Sequence, residues 1–366
     1  MARIDHHIKP YDEGTLVKLE IFERYVETWL PTFIMQPHVK EVNIVDFFAG
    51  LGYDKLKQKG SPIRILDKID SFYGYLQQYN TKINLYLNEF KQSKYTALQE
   101  NCNEYLSNNS KLNKFVEIHY SNKDFNEIYT DILNKTKNAP NLYIIDQSGI
   151  KFTNQKNFDT LLKTTKTDFL FFISSSFFKR FNTTEEFNRH LDITEEELNK
   201  NPYNFIHRTV LEKYRSLIPV NSTMQIFPFS IRKGANIYGI IFGSKHILGV
   251  EKFLKIAWNK NKINGEANFD IDKDIIKAQP TLFPEMKQFT KIEKFENILE
   301  EFMANKKTVT NIDLYYFTYQ NGHIAEHTNK WLRKSKKNKL ISFKGHPKTT
   351  WKSVNNNEIV VFKWLK

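Results

Sequence analysis

One cysteine, Cys102, stands in 366 residues. It leaves no partner for an intramolecular disulfide and too few thiolates for a cysteine-based zinc finger. A lone thiol fits a reducing compartment. No apolar run approaches the roughly 18 residues that a membrane span needs, and the opening stretch MARIDHHIKPYDEGTL has no signal-peptide core. A soluble, cytoplasmic protein without a membrane partner is expected. Neither H-N-H nor P-D-x-D/E-x-K is present, which argues against a nuclease. The histidines make no defensible metal site. His6 and His7 are adjacent, and His323 and His327 stand four apart without the glutamate that zinc-peptidase spacing demands next to the first. Surface or DNA-facing histidines are expected, and no metal.

Apolar and basic residues are plentiful. A 40% hydrophobic share supplies a core, and the length suggests two or three domains. Lys plus Arg number 54 against 41 acids, a net charge of +13. From Met303 to Lys366 there are 13 Lys plus Arg and three acids (Asp313, Glu326 and Glu358), a local net of +10, leaving about +3 for the first 302 residues. A basic segment behind a nearly neutral body is the layout of a nucleic-acid-binding module joined to a catalytic or scaffolding domain. A merely solvated basic surface is the alternative.

Gly14–Leu30 places Leu16, Leu19, Phe22, Val26 and Trp29 three or four apart, an amphipathic helix ended by Pro31. Five short apolar runs follow, at Val42–Phe48, Ile83–Asn88, Phe115–Tyr120, Leu142–Ile145 and Asp168–Ile173, with helical spacing between them. Nearly continuous apolar strands alternating with helices predict a parallel sheet covered on both faces. Helices are expected at Thr184–His190, Thr194–Lys200 and Asn204–Leu217. Met224–Ile231 and Ile237–Gly243 then flank Arg232-Lys233-Gly234-Ala235-Asn236, a hairpin signal. Five parallel strands plus an antiparallel hairpin is the order of the Rossmann-like α/β sheet of class I methyltransferases. With the helix Ile247–Trp258 on its edge, this domain is expected to span 1–258. The polar stretch 259–290 reads as a linker. Over 291–366, three helical segments and two strand-like runs, Leu340–Phe343 and Glu358–Trp364, follow the winged-helix plan.

Asp46-Phe47-Phe48-Ala49-Gly50-Leu51-Gly52 closes the first strand. Glycines after a strand let a ligand approach the backbone, and an acid at the strand end can accept from its amine or hydroxyl groups. The third glycine that holds a dinucleotide's pyrophosphate is missing, and S-adenosylmethionine, which has no phosphate, does not need it. An ordinary tight turn is the alternative. Glu89 ends the second strand, where it could accept ribose hydroxyls, with Ile63–Tyr79 reading as an insertion between the two. Asp124 follows the third strand, either at the level of an adenine amino group or as a helix N-cap. Asp146-Gln147-Ser148-Gly149 follows the fourth strand, which makes Asp146 the candidate catalytic residue. The prolines common there in enzymes that methylate exocyclic amines are missing. Covalent cytosine methylation is disfavoured because Cys102 lies far from this position in sequence. After the fifth strand, Lys179 and Arg180 stand among phenylalanines, a candidate platform for a base and its phosphate. Asp146 and Lys179 also fit part of a Lys-Asp-Lys-Glu ribose methylation set, but Met224–Ile231 holds no glutamate to complete it. In the last domain Lys330, Arg333, Lys334, Lys336, Lys337, Lys344 and Lys348 are candidate phosphate contacts.

Several of these features together resemble the three-Cys-motif partner proteins (TcmP). They are His6-His7 ahead of a helix with Lys18, Tyr25 and Trp29, the Asp46–Gly52 stretch, Gly60-Ser61-Pro62, Asn88-Glu89, Ile145-Asp146-Gln147-x-Gly149-x-Lys151-Phe152, and Thr167-Asp168-Phe169 running on to Ser174-Ser175 and Arg180-Phe181. The resemblance covers most of residues 6–250. It implies a class I methyltransferase-like fold, and a three-cysteine companion protein, similar to radical-SAM enzymes, encoded nearby in bacteria. The matching positions imply Asp46, Gly50, Gly52 and Glu89 as S-adenosylmethionine contacts, with Asp146 nearest the chemistry, while Phe48 and Asp124 are further cofactor-binding candidates from their places at the strand ends. Two functions are compatible with this. One is a methyltransferase acting on nucleic acid. The other is an inactive nucleic-acid-binding subunit that presents substrate to the companion.

Overall fold

The computed structural model describes residues 10–147, 154–174, 205–234, 236–280, 285 and 287–366. The chain divides into two compact units, Met1–Lys245 and His246–Lys366.

The first unit is built on a seven-stranded sheet: β1 (Glu41–Asp46), β2 (Lys82–Asn88), β3 (Val116–Ser121), β4 (Asn141–Ile145), β5 (Thr167–Ser174), β6 (Gln225–Lys233) and β7 (Asn236–Ser244). Their order is β3-β2-β1-β4-β5-β7-β6. All neighbours pair in parallel except β7, which runs antiparallel to both β5 and β6. This is the Rossmann-like methyltransferase order expected from the sequence. The chain leaves β1 towards one edge and returns through β4 towards the other, so a topological switch point lies between β1 and β4.

Parallel strands need crossover helices. Described here are α1 (Glu13–Ile34), α2 (Ser61–Ser71), α3 (Tyr73–Tyr79), α4 (Gln92–Asn108), α5 (Phe125–Thr136), α6 (Gln155–Leu162) and α7 (Ile206–Ser216). Helix α1 continues past Pro31 to Ile34. A proline this near the C-terminus sacrifices one backbone bond, and burial of Leu30 and Ile34 outweighs it. The segment expected to be an insertion, Ile63–Tyr79, is the β1–β2 crossover itself, formed by α2 and α3. The helices expected over 184–190 and 194–200 lie outside the described residues.

The aromatic richness is spent on the core. Phe47, Phe125, Tyr129, Tyr143, Phe158, Phe169, Phe171 and Tyr214 are buried in one cluster, and the Phe169 and Phe171 rings stack at 5.5 Å. Gly243 faces this layer because a Cβ there would lie 2.1 Å from the Phe169 ring. A polar ladder crosses four strands near their starts. Asn84 donates to Asn43 at 3.0 Å, Asn43 to Asn141 at 2.8 Å, and Asn141 to Thr167 at 3.2 Å. Each amide answers its neighbour, so the ladder is satisfied only in one strand register.

The second unit begins with α8 (Ile247–Lys260), although the sequence pattern places this helix with the first. Within this unit, buried Glu251 of α8 accepts from Tyr315, and Trp258 Nε1 donates to the Gly322 carbonyl at 2.9 Å. The expected linker is partly structured too. Asn264 and Ala267 are buried, a short helix α9 spans Asp274–Lys277, and Lys291 pairs with Glu266 at 2.8 Å. Beyond it come α10 (Lys291–Lys306), β8 (Thr308–Thr310), α11 (Asn311–Gln320), α12 (Ala325–Lys337), β9 (Ile341–Ser342), α13 (Trp351–Asn355) and β10 (Val361–Trp364). The three strands form an antiparallel sheet in the order β8-β10-β9. Thr290 with Glu293, and Thr310 with Asp313, close capping boxes at the starts of α10 and α11. Asn311 ties the segment before β10 down, donating to the carbonyls of Lys348 and Glu358 and accepting from Val360 N.

Replacing Asn43 with alanine removes the middle rung of the first unit's ladder. It leaves buried amide groups unanswered, each costing about 1–3 kcal/mol. Urea unfolding is expected to show a lower midpoint at unchanged slope. A variant as stable as the parent would mean that the ladder contributes nothing to stability.

Candidate functional site

Asp46 is the last residue of β1 and is fully buried. Its Oδ1 accepts from Phe48 N at 3.0 Å and its Oδ2 from Ser61 Oγ at 2.6 Å. The chain between these two donors turns through Gly50 at φ +67° and Gly52 at φ +93°, a region that costs most side chains. Gly60 N donates to Gly52 O at 2.7 Å and closes the loop. A Cβ on Gly60 would lie 2.8 Å from the Tyr11 hydroxyl and 3.0 Å from Gly52 O. Asp54 organises the intervening residues, accepting from Leu56 N, Gln58 N and Tyr11 N. Tyr11, just before α1, is thereby fastened to the glycine loop.

The neighbouring strand ends complete the edge. Asn88, at the end of β2, donates to the carbonyls of Phe47 and Lys123 and accepts from Ser121 Oγ and Lys123 N. One buried amide thus holds three strand ends together. Glu89 follows it, and its carboxylate accepts from Lys91 N at 2.8 Å. Phe90, next in line, is 66% exposed. Asp124 takes the capping role that the sequence leaves open, its carboxylate accepting from Asn126 N at the start of α5. Phe48 is half-buried, stacked on Phe125 at 5.5 Å.

Asp146 directly follows β4, and β4 pairs with β1, so Asp146 comes to the same carboxyl edge as Asp46. Its Oδ2 accepts from Lys18 Nζ at 2.5 Å. That ammonium also lies 4.5 Å from the centre of the Phe172 ring. Burial, and then the charge of Asp146, push the Asp46 carboxyl up to about 7, against the hydrogen bonds from Ser61 and Phe48 and the Lys18 charge. Burial, and after it the carboxylates of Asp54 and Asp146, push the Tyr11 phenol upward.

The structure therefore gathers Asp46, Phe48, Gly50, Gly52, Glu89, Asp124 and Asp146 along one sheet edge. Lys179 and Arg180 lie outside the described residues. Lys18, Tyr11 and Ser61 are additions that composition and motif spacing did not single out as site residues. Lys18 left a trace: it recurs with Phe22, Tyr25 and Trp29 at spacings of four, three and four, a lysine on the stripe of α1 that is otherwise buried.

In the second unit, Lys330, Arg333, Lys334, Lys336 and Lys337 lie on the exposed side of α12, opposite buried Thr328, Trp331, Leu332 and Ser335. Lys336 donates to Phe343 O at 2.9 Å, Lys334 stands 3.6 Å from Glu296, and Lys348 pairs with Glu358 at 2.9 Å. Among the described residues, Lys330, Arg333, Lys337 and Lys344 have no such side-chain partner. The expectation that His323 and His327 face outward fails for His323. It is buried, stacked on Phe295 at 4.0 Å, with its Nδ1 3.1 Å from that of half-buried His327. Burial lowers both histidines, His327 to about 4. Among the described residues no cluster of metal-ligating side chains occurs, and no helix is long and apolar enough to cross a membrane.

No family model matches the chain, and no curated protein matches it. Solved structures do. The METTL16 MTase domain is 10% identical over 65% of this chain and 70% of its own, with a TM-score of 0.34. The DszA carbon methyltransferase is 10% identical over 64% of this chain and 55% of its own, with a TM-score of 0.36. A SAM-dependent methyltransferase from Aquifex aeolicus is 12% identical over 64% of this chain and 99% of its own, with a TM-score of 0.27. Likenesses of that size decide nothing about function, and the fold rests on the strand register itself.

Proposed function

We propose that the first unit binds S-adenosylmethionine at the β1–β2–β4 edge and that the chain acts on nucleic acid as a methyltransferase-like protein, together with a three-cysteine-motif partner. The observation that carries this reading is a buried carboxyl, Asp46, beneath a glycine loop at the topological switch point. The groups fit such a ligand. Asp46 and Glu89 suit amine and hydroxyl donors, and Phe90 offers an aromatic face for a base. A phosphate is poorly served. No helix starts at the glycine loop, because α2 begins only at Ser61, and the carboxylates along the edge repel an anion. S-adenosylmethionine, when bound, supplies an activated methyl group. The protein's part is to hold the ligand with Asp46 and Glu89 and to present Asp146 to the acceptor.

The second unit supports the nucleic-acid half. Helix α10, β8, α11, α12 and β9 follow one another as in a winged helix, with the short α13 set between β9 and β10, and we assign that fold to it. Lys330, Arg333, Lys337 and Lys344 are its phosphate-binding cations. The alternative is a subunit that delivers nucleic acid to the partner without turnover, and binding of S-adenosylmethionine separates the two.

Calorimetry on the full chain is expected to show binding of S-adenosylmethionine, weakened about tenfold or more by Asp46→Asn through loss of a charged acceptor. No heat with the parent protein would overturn the cofactor reading. Because the Asp46 carboxyl titrates near 7, affinity is expected to rise from pH 6 to pH 8 as the acceptor ionises.

Stability runs the opposite way. The unfolded carboxyl loses its proton near 4 and the folded one near 7, so this group's contribution is complete below 4 and is lost as pH rises through 7. Asp46→Asn removes that loss. Its stability is therefore expected to exceed the parent's at pH 8 by on the order of a few kcal/mol, seen as a higher melting temperature, and to match it near pH 4. Equal melting temperatures at pH 8 would show that the carboxyl is not held in its neutral form.

For the second unit, replacing Lys330, Arg333, Lys337 and Lys344 with alanine is expected to flatten the salt dependence of duplex binding. The log–log slope should fall by about 0.9 for each phosphate that is no longer neutralised. An unchanged slope in fluorescence anisotropy would move the binding face elsewhere.

A further inference from the structure

Lys18 is an unusual partner for a carboxylate at this edge. A buried ion pair adds little net stability, because desolvation offsets most of the attraction. This one is only partly covered, with side-chain exposures of 12% for Lys18 and 19% for Asp146. Beside it, half-buried Phe172 stacks on half-buried Tyr238 at 5.4 Å, and Lys233 lies 5.4 Å from the centre of the Tyr238 ring. An ammonium–carboxylate pair, an aromatic shelf and a second cation therefore stand together within the first unit.

We infer that Lys18 and Asp146 form a recognition site for a ribose 2′-hydroxyl, which makes the nucleic acid of the proposed reaction RNA. A hydroxyl carries one donor and two acceptor lone pairs, so it can donate to Asp146 and accept from Lys18 at once. An exocyclic amine has donors only, and positive charge growing on its nitrogen would be opposed by the ammonium. Negative charge growing on a hydroxyl oxygen is stabilised by it. Phe172 and Tyr238 provide the stacking surface on which single-stranded bases are held. Where transfer occurs, the oxygen's electron pair forms the new C–O bond, the hydroxyl proton passes to Asp146, and the donor sulfur keeps the C–S pair. That chemical half rests on the methyltransferase reading, whereas the preference for RNA does not.

The test is anisotropy without cofactor on a labelled single-stranded RNA of about 12 nucleotides, within the range of single-strand site sizes, on DNA of the same sequence and on its 2′-O-methyl form. The protein is the full chain carrying alanine at Lys330, Arg333, Lys337 and Lys344, so that the basic face does not mask the first unit. RNA is expected to bind about fivefold tighter than the other two, the size of one or two hydrogen bonds. Lys18→Met and Asp146→Asn should each abolish the preference, bringing RNA, DNA and the 2′-O-methyl form to equal affinity. Asp146→Asn keeps the side-chain shape and serves if Lys18→Met does not fold, as judged by circular dichroism. Equal binding of RNA and DNA by the unsubstituted site, or a preference that survives both variants, overturns the inference. Calorimetry keeps the two readings apart. RNA preference without S-adenosylmethionine binding removes the enzymatic reading alone, and cofactor binding without RNA preference removes this inference alone.

Discussion

Burial of the Asp46 carboxyl is the constraint around which the first unit's edge is arranged. A carboxyl removed from water must be hydrogen-bonded or neutral, and here it is met from both sides. Phe48 N satisfies one oxygen only because the chain turns immediately after β1. Ser61 Oγ satisfies the other only because the chain returns at the start of α2. The two left-handed glycines, the Gly52–Gly60 backbone bond and the Asp54 turn are what bring that return about. The glycine loop is therefore explained by the buried acid alone, and its role as a ligand platform is the proposal that builds on it.

Helix α1 locks this edge to the rest of the sheet. From one helix, Lys18 reaches Asp146 after β4, and Tyr25 reaches Asp168 on β5 at 2.7 Å. On another side, Glu23 and Glu27 pair with Arg64 and Lys68 of α2. The helix that covers the sheet is thus the same element that places a cation at the site. A shift of α1 along its axis would disturb the Asp146 charge and the α2 packing together. Such coupling of fold and site is the reason a lysine is tolerated on an apolar stripe.

Much of the fold was legible because parallel strands covered on both faces must be apolar throughout. VNIVD, INLYL and LYII announce themselves, and alternation with helices fixes the class. What stayed illegible depends on tertiary partners. Nothing local says that Asn43, Asn84 and Asn141 will answer one another across strands, because each alone looks like a polar interruption. Proline at position 31 is a stop signal by propensity, yet burial beyond it carried the helix on. The assignment of α8 to the second unit turns on Glu251 and Trp258 finding Tyr315 and Gly322, each 64 positions away. Asp124 was undecidable because an N-cap and a ligand acceptor use the same oxygen atoms. His323 looked polar and therefore external, whereas a neutral imidazole is flat enough to stack inside an aromatic core.

The distribution of charge follows from the chemistry of the edge. Asp46, Glu89, Asp124 and Asp146 line up where a cationic, hydroxyl-bearing ligand is favoured and where a phosphate is repelled. If the chain acts on nucleic acid as proposed, it cannot then draw its backbone affinity from that edge. Two cations standing there, Lys18 and Lys233, are each tied to an acid, Asp146 and Asp12. They can orient a single nucleotide but cannot neutralise a strand. Affinity for a polyanion has to come from uncommitted cations elsewhere in the chain. The +10 carried by Met303–Lys366 is where the sequence supplies them, with Lys330, Arg333, Lys337 and Lys344 clear of acidic partners among the described residues. Under the proposed function, the acidic edge would take the positively charged donor and the basic segment the negatively charged acceptor, so that neither charge environment works against the other.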